Sequence, residues 1–450
     1  MSVLVAGLGI SGQAALRFLV AQGDEFIFAF DTRSDLDTQS LESTFPQVTF
    51  AVGALPKAWA EKIHLLVISP GIDPNEEWVQ ALVNRGVSLV GEIELFCRSL
   101  PADKPVIAIT GSNGKSTVTT LVGELLSAQG YHVAVGGNIG TPALDLLMQS
   151  SQADVFVLEL SSFQLETTHS LLATTATILN ISPDHLDRYG DMAKYIAAKA
   201  PIYQMTRLAV VNRDDAVASG LADARVPALG FGLQAPEQPG DFGLMQRDGE
   251  EWLSQSLPES SAPSFIMKTE DVALMGRHNL SNCLAALSLC HPFKLQTETI
   301  ISVFSKFTGL AHRAQLVRTR AGVHWINDSK GTNVGSTVSA LTSLGAKSPI
   351  VLLAGGQGKG QDFSQLTQPL SDFARALIVF GEDAAQIAAV APNTCPVSVV
   401  KDLIEAVMLA DRLAQTGDVV LLSPACASFD QFRHYAHRGD VFTQAVIKLS

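Results

Sequence analysis

Residues 106–121 read VIAITGSNGKSTVTTL. An apolar, β-branched run passes into a Gly-containing turn and then into a helical pattern. Val118, Leu121, Val122, Leu125 and Leu126 form the apolar stripe of that helix, and Gly130 ends it. A strand, tight turn and amphipathic helix in this order commit the surrounding chain to an α/β unit, because the strand must lie in a sheet with the helix packed on its face. The chemistry is constrained as well. The backbone N–H groups of Gly111, Ser112, Asn113 and Gly114, with the helix N-terminus, converge on one place and favour an anion there. Lys115 adds a mobile positive charge for the β- and γ-phosphates of ATP, and Ser116 or Thr117 supplies a hydroxyl for Mg²⁺. The loop is shorter than the common P-loop pattern, with Ile109 standing where that pattern has its first Gly.

A second stretch of the same kind, VLVAGLGISGQAALRFL, begins at Val3. Gly7, Gly9 and Gly12 fit a dinucleotide fingerprint, and Asp31 follows the next strand where a ribose-binding acid would sit. Taken alone, this pattern invites an NAD-dependent oxidoreductase. Such an enzyme leaves TGSNGKST without a purpose, whereas the same turn can hold any diphosphate, including that of a UDP-sugar. The stretch is not read as a signal peptide, since it has no basic leader and its glycines fall where a turn is expected.

The 450 residues exceed one ordinary core, so two or three domains are expected. A net charge of −13 and the absence of a Lys/Arg run argue against a nucleic-acid partner. No apolar run reaches membrane-spanning length. The five scattered cysteines form no C-x-x-C pair and read as free thiols of a reducing compartment.

Strand-like runs alternate with helical patterns throughout. SVLVAG, FIFAFD and LLVISPG lie in the first part, followed by VIAIT, DVFVLEL, ATILNIS and LAVVNRDD, and then by HWIND, IVLLAGG, ALIVFGED and VVLLSPA. RHNLSNCLAALSLC is helical, with Leu280, Leu284 and Leu287 on one face. LQAPEQPGD and SQSLPESSAPS read as surface turns. The expected fold is α/β in three domains. Residues 1–93 form a Rossmann-like unit, 94–309 a central P-loop ATPase-like unit with a mostly parallel sheet, and 310–450 a C-terminal Rossmann-like unit.

Several groups suggest metal-assisted phosphoryl transfer. Glu159 ends the strand VFVLEL, where a carboxylate faces the ligand crevice of an open sheet. His185 follows the next strand, and Lys199 lies in a helical pattern beyond it. Glu159 and His185 could hold Mg²⁺ beside the γ-phosphate. In the last unit, Asp328, Lys330, Lys359 and Ser428 lie in loops that each follow a strand, a setting suited to an anionic small substrate.

TGSNGKST, LELSSFQLE, DHLDRY with a downstream AAK, GLAHR, INDSKGTN and SPACASFDQF occur in this order, with GLGISG and DTR ahead of them. In this set the chain resembles the Mur ligases over nearly its whole length, and LSSFQLE and SPACASFDQF resemble the member that uses D-glutamate. The resemblance implies ATP-dependent addition of D-glutamate to UDP-N-acetylmuramoyl-L-alanine through an acyl phosphate, in peptidoglycan precursor synthesis and hence in cell-wall formation, cell shape and division. It implies that Gly7, Gly9, Ile10, Ser11, Asp31, Thr32, Arg33 and Ser69 meet the UDP-sugar, with Asn138 near acceptor and metal. Asn282, His312, Arg313 and Asp328 would join the phosphate loop around ATP. Lys330, Thr332, Lys359, Ser428 and Phe429 would receive D-glutamate. Ser116, Glu159, His185 and a Lys199 carbamylated by CO₂ would surround two Mg²⁺ ions, with Lys115, His185 and Lys199 the catalytic set. Either His185 or water would take the proton of the incoming amine.

A cytoplasmic monomer that hinges near residues 308–312 is expected, without membrane insertion. Pro201 departs from the family pattern and is expected to disfavour helical geometry at Ala200, altering the aim of Lys199. The alternatives are a sister Mur ligase or folylpolyglutamate-type ligase for another amino acid, the NAD-dependent oxidoreductase, and a regulatory module that binds nucleotide without turnover.

Overall fold

The computed structural model describes residues 2–449 apart from 25, 151, 258–262 and 275. The described strands fall into three sheets. The first is fully parallel, in the order Thr49–Val52, Phe26–Asp31, Ser2–Ala6, Leu65–Ile68, Ser88–Gly91. In the middle sheet six parallel strands run in the order Val133–Gly137, Val155–Glu159, Val106–Thr110, Thr175–Ile178, Ala209–Asn212, Ala228–Phe231. Phe242–Arg247 joins them in parallel, and Glu250–Gln255 and Ser264–Lys268 extend the sheet antiparallel. The third sheet runs Gln315–Arg320, Val323–Asn327, Val419–Leu422, Ile350–Gly355, Ala374–Phe380, Val397–Val399, with only its first strand antiparallel.

The continuous apolar runs of the sequence have a simple cause. Each parallel sheet is covered on both faces, so alternate residues of one strand feed two different cores. Val3 and Val5 enter one cluster, and Leu4 and Ala6 another. Ile350, Leu352 and Ala354 pack on one side of the third sheet, and Val351 and Leu353 on the other. The helix Lys115–Ala128 buries all five residues of its predicted stripe completely, and Gly130 closes it at a φ of 105°. Leu280, Leu284 and Leu287 are likewise buried within the helix Arg277–Leu289.

Several strands carry no distinctive signal in the sequence. Thr49–Val52 and Val397–Val399 are short edge strands, and Gln315–Arg320 alternates arginines along an exposed edge. LQAPEQPGD does lie in the turn before Phe242–Arg247, while the turn expected in SQSLPESSAPS falls largely on 258–262, outside the described residues. Pro201 does not force Ala200 out of helical geometry. The α-helix Met192–Lys199 ends and a 3₁₀ helix, Ala200–Tyr203, begins there, with Ala200 at φ −51°, ψ −38°. Pro201 occupies the first turn of that helix, where a missing N–H costs nothing.

The first two sheets share one apolar cluster, in which Phe96 meets Phe156 edge to face at 5.3 Å. Polar ties reinforce it. Arg17 forms a two-pronged pair with Asp145 at 2.9 and 2.6 Å. Glu94 accepts hydrogen bonds from the backbone N–H groups of His169 and Ser170 and from the Ser170 hydroxyl. Glu92, which opens the connecting helix Glu92–Ser99, accepts one from Leu144 N at 2.7 Å. Its other oxygen is buried without a hydrogen-bond partner.

Burial pushes the Glu92 carboxyl up to about 7, against the pull of the Leu144 amide. A raised folded-state value means that the favourable contribution is complete below the unfolded value. It is lost as pH rises through about 7. Glu92→Gln keeps the acceptor and removes the buried charge. Its melting temperature should exceed that of the parent by a few degrees at pH 8 and match it at pH 5, as read by thermal denaturation.

Candidate active site

The parallel order of the middle sheet places Val106–Thr110 between strands whose connections leave in opposite directions. The crevice outside its carboxyl end is where such sheets bind ligands. The TGSNGKST loop lies at that end. Gly111 (φ 148°) and Gly114 (φ 82°) take conformations that other residues rarely adopt. A side chain at Gly114 would also collide with the Asn282 amide oxygen, 2.6 Å from the position of a Cβ. Asn180 fixes the loop, its side chain accepting from Asn113 N and donating to Asn113 O. Lys115 Nζ donates to the carbonyls of Gly111 and Ser112 at 2.8 and 2.9 Å.

Around this loop opens a cleft of about 640 Å³ between the middle and last units. Glu159 sits in it at the end of its strand, 2% exposed, accepting from Ser116 Oγ at 2.5 Å and Asn138 Nδ2 at 2.9 Å. Arg313, from the third unit, donates to the same Ser116 hydroxyl at 2.7 Å. Lys199 is also 2% exposed, and its Nζ lies 3.2 Å from Thr110 Oγ1 and 3.1 Å from Gly111 O. Burial first, and the Lys115 charge second, hold its amine well below the usual lysine range. Burial also lowers Lys115 and the His185 imidazole, although Glu159 pulls the former and Asp184 the latter the other way. His185 holds a left-handed backbone (φ 55°) and packs its ring edge to face on Phe163 at 4.8 Å.

The third unit closes on this loop from the opposite side. Lys359 approaches Asp184 at 3.5 Å, Asn333 donates to Asn113 and Asp184, and Ser336 donates to Asn113. Burial raises Asp328 to about 6, and it accepts from Ala314 N and Ser423 Oγ. Burial lowers Lys330 to about 8, its ammonium 4.1 Å above the Tyr435 ring. Thr332, Ser428 and Asn282 also line the cleft. Phe429 does so while 69% exposed.

Sequence reasoning missed three residues. Asp184 was masked by the neighbouring histidine. Tyr435 lies beyond the quoted motif. Arg438 is fully buried in the helix Tyr435–Ile447, and its guanidinium donates to the Ser329 hydroxyl and to the carbonyls of Ser329, Gly355, Cys426 and Ala427. Those acceptors belong to the three loops bearing Lys330, Lys359 and Ser428. Only a regular strand–loop rhythm around these loops was visible beforehand.

The first cradle lies apart from the cleft. Gly7 has φ 84°, and a side chain at Gly12 would run into the Gly7 carbonyl, 1.8 Å from the position of a Cβ. Ser69 Oγ donates to that same carbonyl at 2.6 Å. Asp31 accepts from Leu8 N and from the Arg33 backbone and guanidinium, which together hold its carboxyl down at about 2. Ile10 is 73% exposed at the start of the helix Ile10–Gln22, with Ser11 beside it and Thr32 exposed after Asp31. Asn138 is not near this cradle but beside Glu159.

Three family models match the chain in succession. They are the Mur ligase MurD-like N-terminal domain over residues 1–91, the Mur ligase middle domain over 109–290, and the Mur ligase glutamate ligase domain over 312–426. The chain belongs to the Mur ligase family. Its relatives include proteins named UDP-N-acetylmuramoylalanine--D-glutamate ligase. That of Hydrogenovibrio crunogenus is 48% identical over 98% of this chain and 96% of its own length. That of Pseudomonas putida is 44% identical over 98% and 96%. Among solved structures, a pseudomurein peptide ligase type C from Methanothermus fervidus aligns with a TM-score of 0.62 at 17% identity, covering 99% of this chain and 100% of the other. MurF from Acinetobacter baumannii aligns with a TM-score of 0.62 at 18% identity, covering 85% and 90%. These two likenesses establish the three-part α/β Mur ligase fold.

Within that fold the TGSNGKST loop holds Lys115 at a glycine turn and helix N-terminus. Lys115→Ala should lower turnover by about 10³-fold or more, with circular dichroism and melting temperature near those of the parent. A steady-state phosphate-release assay checks this.

Proposed function

We infer that this Mur ligase adds D-glutamate to UDP-N-acetylmuramoyl-L-alanine with hydrolysis of ATP. The observation that carries the reading is the match to D-glutamate ligases at 43–48% identity over nearly the full length of both chains. The geometry supports it, since a phosphate loop and a second cationic crescent face each other across one cleft. The divisions at residues 93/94 and 309/310 separate units that bind the UDP-sugar, ATP and the amino acid in turn.

ATP belongs on residues 111–117, with Asn282, Arg313 and Asp328 around it. The acceptor's UDP group belongs on the first cradle, at Gly7, Gly9, Ile10, Ser11, Asp31, Thr32, Arg33 and Ser69. Its peptide end reaches Asn138 and the phosphate loop. D-glutamate is placed among Lys330, Thr332, Lys359, Ser428 and Phe429, where fixed cations and a hydroxyl suit its carboxylates.

The donor set also fits Mg²⁺. Among the described residues no three His, Cys, Asp or Glu side chains form a closed cage. A hard cation that keeps its waters and takes substrate phosphates needs only one or two protein carboxylates. Ser116, Glu159, His185 and a carbamylated Lys199 would hold two such ions. Bound there, Mg²⁺ supplies charge neutralisation for the triphosphate. Lys199 suits carbamylation because burial keeps its amine neutral enough to attack CO₂, which releases a proton and leaves an anionic oxygen donor.

In the first step the acceptor carboxylate attacks the γ-phosphorus. The bond to ADP breaks and an acyl phosphate forms, with Lys115 and the loop amides stabilising the transferring group. The D-glutamate amine, after losing a proton to His185 or to solvent, attacks the acyl carbon. Inorganic phosphate leaves and the amide remains. His185, held below the usual imidazole range by desolvation, is neutral and able to accept that proton. Closure of the third unit keeps water from the acyl phosphate. The protein acts as a cytoplasmic monomer, and no helix among the described residues is long and apolar enough to cross a membrane.

Phosphate release with ATP, UDP-N-acetylmuramoyl-L-alanine and a panel of amino acids should be strongest with D-glutamate. ¹⁸O from a labelled acceptor carboxyl should appear in the released phosphate; its absence overturns the acyl-phosphate route. Lys199→Ala should lose roughly 10²-fold or more in turnover and regain part of it with a small added carboxylate. Unimpaired activity without rescue ends the carbamate role.

A further inference from the structure

The UDP-sugar acceptor must span two units. Its diphosphate lies on the first cradle, and its reacting carboxylate meets the phosphate loop of the middle one. Something has to fix the distance between them, and the motif residues of the two sites do not touch each other.

Arg188 makes the connection. It lies in the one-turn helix Leu186–Tyr189, directly after His185, and its backbone N–H donates to the His185 carbonyl at 3.1 Å. Its side chain is only 15% exposed and leaves its own unit. Nη2 donates to Ile72 O at 3.3 Å, and Nε pairs with Asp73 at 3.4 Å. Ile72 and Asp73 belong to the loop that begins at Ser69, and Ser69 holds the Gly7 carbonyl of the first cradle. Ile72 N donates to Ser69 O, so the loop is a single closed turn.

On the middle unit the same guanidinium reaches Glu166 at 3.1 Å and lies 4.7 Å above the Phe163 ring. Phe163 in turn packs against the His185 ring at 4.8 Å and stacks on Tyr189 at 5.7 Å. A planar, always charged fork can serve two carboxylates, a carbonyl and an aromatic face at once, which an ammonium cannot.

We propose that Arg188 is a positioning residue that ties the Ile72–Asp73 turn of the diphosphate cradle to the His185–Phe163 pair, setting the span over which the acceptor carboxylate reaches the phosphate loop. It touches neither reacting group. Its effect falls on a ligand that engages both units and spares a ligand that engages only one. This rests on the UDP-sugar reading of the first cradle, and binding measurements separate the two, because they need no amino acid and no turnover.

The test is calorimetric titration of Arg188→Met with UDP alone, and with UDP-N-acetylmuramoyl-L-alanine in the presence of Mg²⁺ and a non-hydrolysable ATP analogue. The expected result is a Kd for the full acceptor raised about 10-fold or more, a Kd for UDP within twofold of the parent, and a Kd for the ATP analogue within twofold. Asp73→Asn, a change on the partly exposed surface of the first unit, should give a smaller loss in the same pattern. The double variant should be no worse than Arg188→Met. An acceptor Kd within twofold of the parent, an equal loss for UDP and acceptor, or losses that multiply in the double variant would each overturn the proposal. Failure of the parent to bind UDP at all overturns the reading of the first cradle instead.

Discussion

Crowding of cations in one cleft is the constraint on which the rest of this molecule depends. Lys115, Lys199, Arg313, Lys330 and Lys359 line one cleft, where Glu159, Asp184, Asp215 and Asp328 are the carboxylates, and Asp215 is spent on capping the short helix Ala216–Gly220. Burial depresses Lys115, Lys199, Arg313 and Lys330, and neighbouring cations add to the effect on each lysine. Keeping like charges together away from water is costly. The cost is offset when a polyanion arrives, and in a low-dielectric crevice that compensation is large. The chain therefore gives up folding stability to hold a cleft suited to polyanionic ligands.

That arrangement dictates how the three units meet. The first is joined to the second by a shared apolar cluster, by the Arg17–Asp145 pair and by the carboxylates of Glu92 and Glu94 on amide donors. These are contacts of a permanent interface. The third unit keeps its own cores. It meets the second chiefly through polar groups at the cleft itself, Arg313 on Ser116, Lys359 on Asp184 and Ser336 on Asn113. Polar contacts of this kind are easily exchanged for water or ligand. On the proposed mechanism this split suits the reaction, because the acceptor would be held at fixed reach while the third unit opens and closes over the cleft.

Much of the fold was legible because buried parallel strands announce themselves as apolar runs, some of them ending in a polar residue. Glu159 closes VFVLE, and Thr110 closes VIAIT before the glycine turn. Lys115 and the strand-end carboxylate could be named as candidates from position alone. Edge strands such as Gln315–Arg320 could not, since none of their residues is fully buried and they alternate like any loop. Three site residues stayed hidden for a different reason. Asp184, Tyr435 and Arg438 act through partners far along the chain. Arg438 gathers carbonyls from residues 329, 355, 426 and 427, and no local pattern marks an arginine as the one that ends up without exposure. Pro201 misled for a local reason, because a proline opening a 3₁₀ turn leaves the preceding residue helical.

Arg438 and the segment before it show how one unit can be rigid within and movable as a whole. A peptide carbonyl drawn inward turns the N–H of the same peptide the other way. By accepting the guanidinium, the Ala427 carbonyl turns the Ser428 N–H away from Arg438, and Ser428 lines the cleft. A guanidinium bonded to hydroxyl and carbonyl oxygens thus shapes three loops into one wall of the cleft and adds to its positive field. The entry to the unit is built in the opposite manner. Gly309 has φ 105°, while His312 and Ala314 hold positive φ of 62° and 46°, which L-residues adopt at a cost of about 1–2 kcal/mol each. They are kept there by hydrogen bonds into the third unit: His312 N to Gln315, Ala314 N to Asp328, and Lys330 N to His312 O. The strained residues therefore stand at the junction of the two units, and on the proposed mechanism the chain turns near residues 308–312, which would break the Arg313 contact to Ser116.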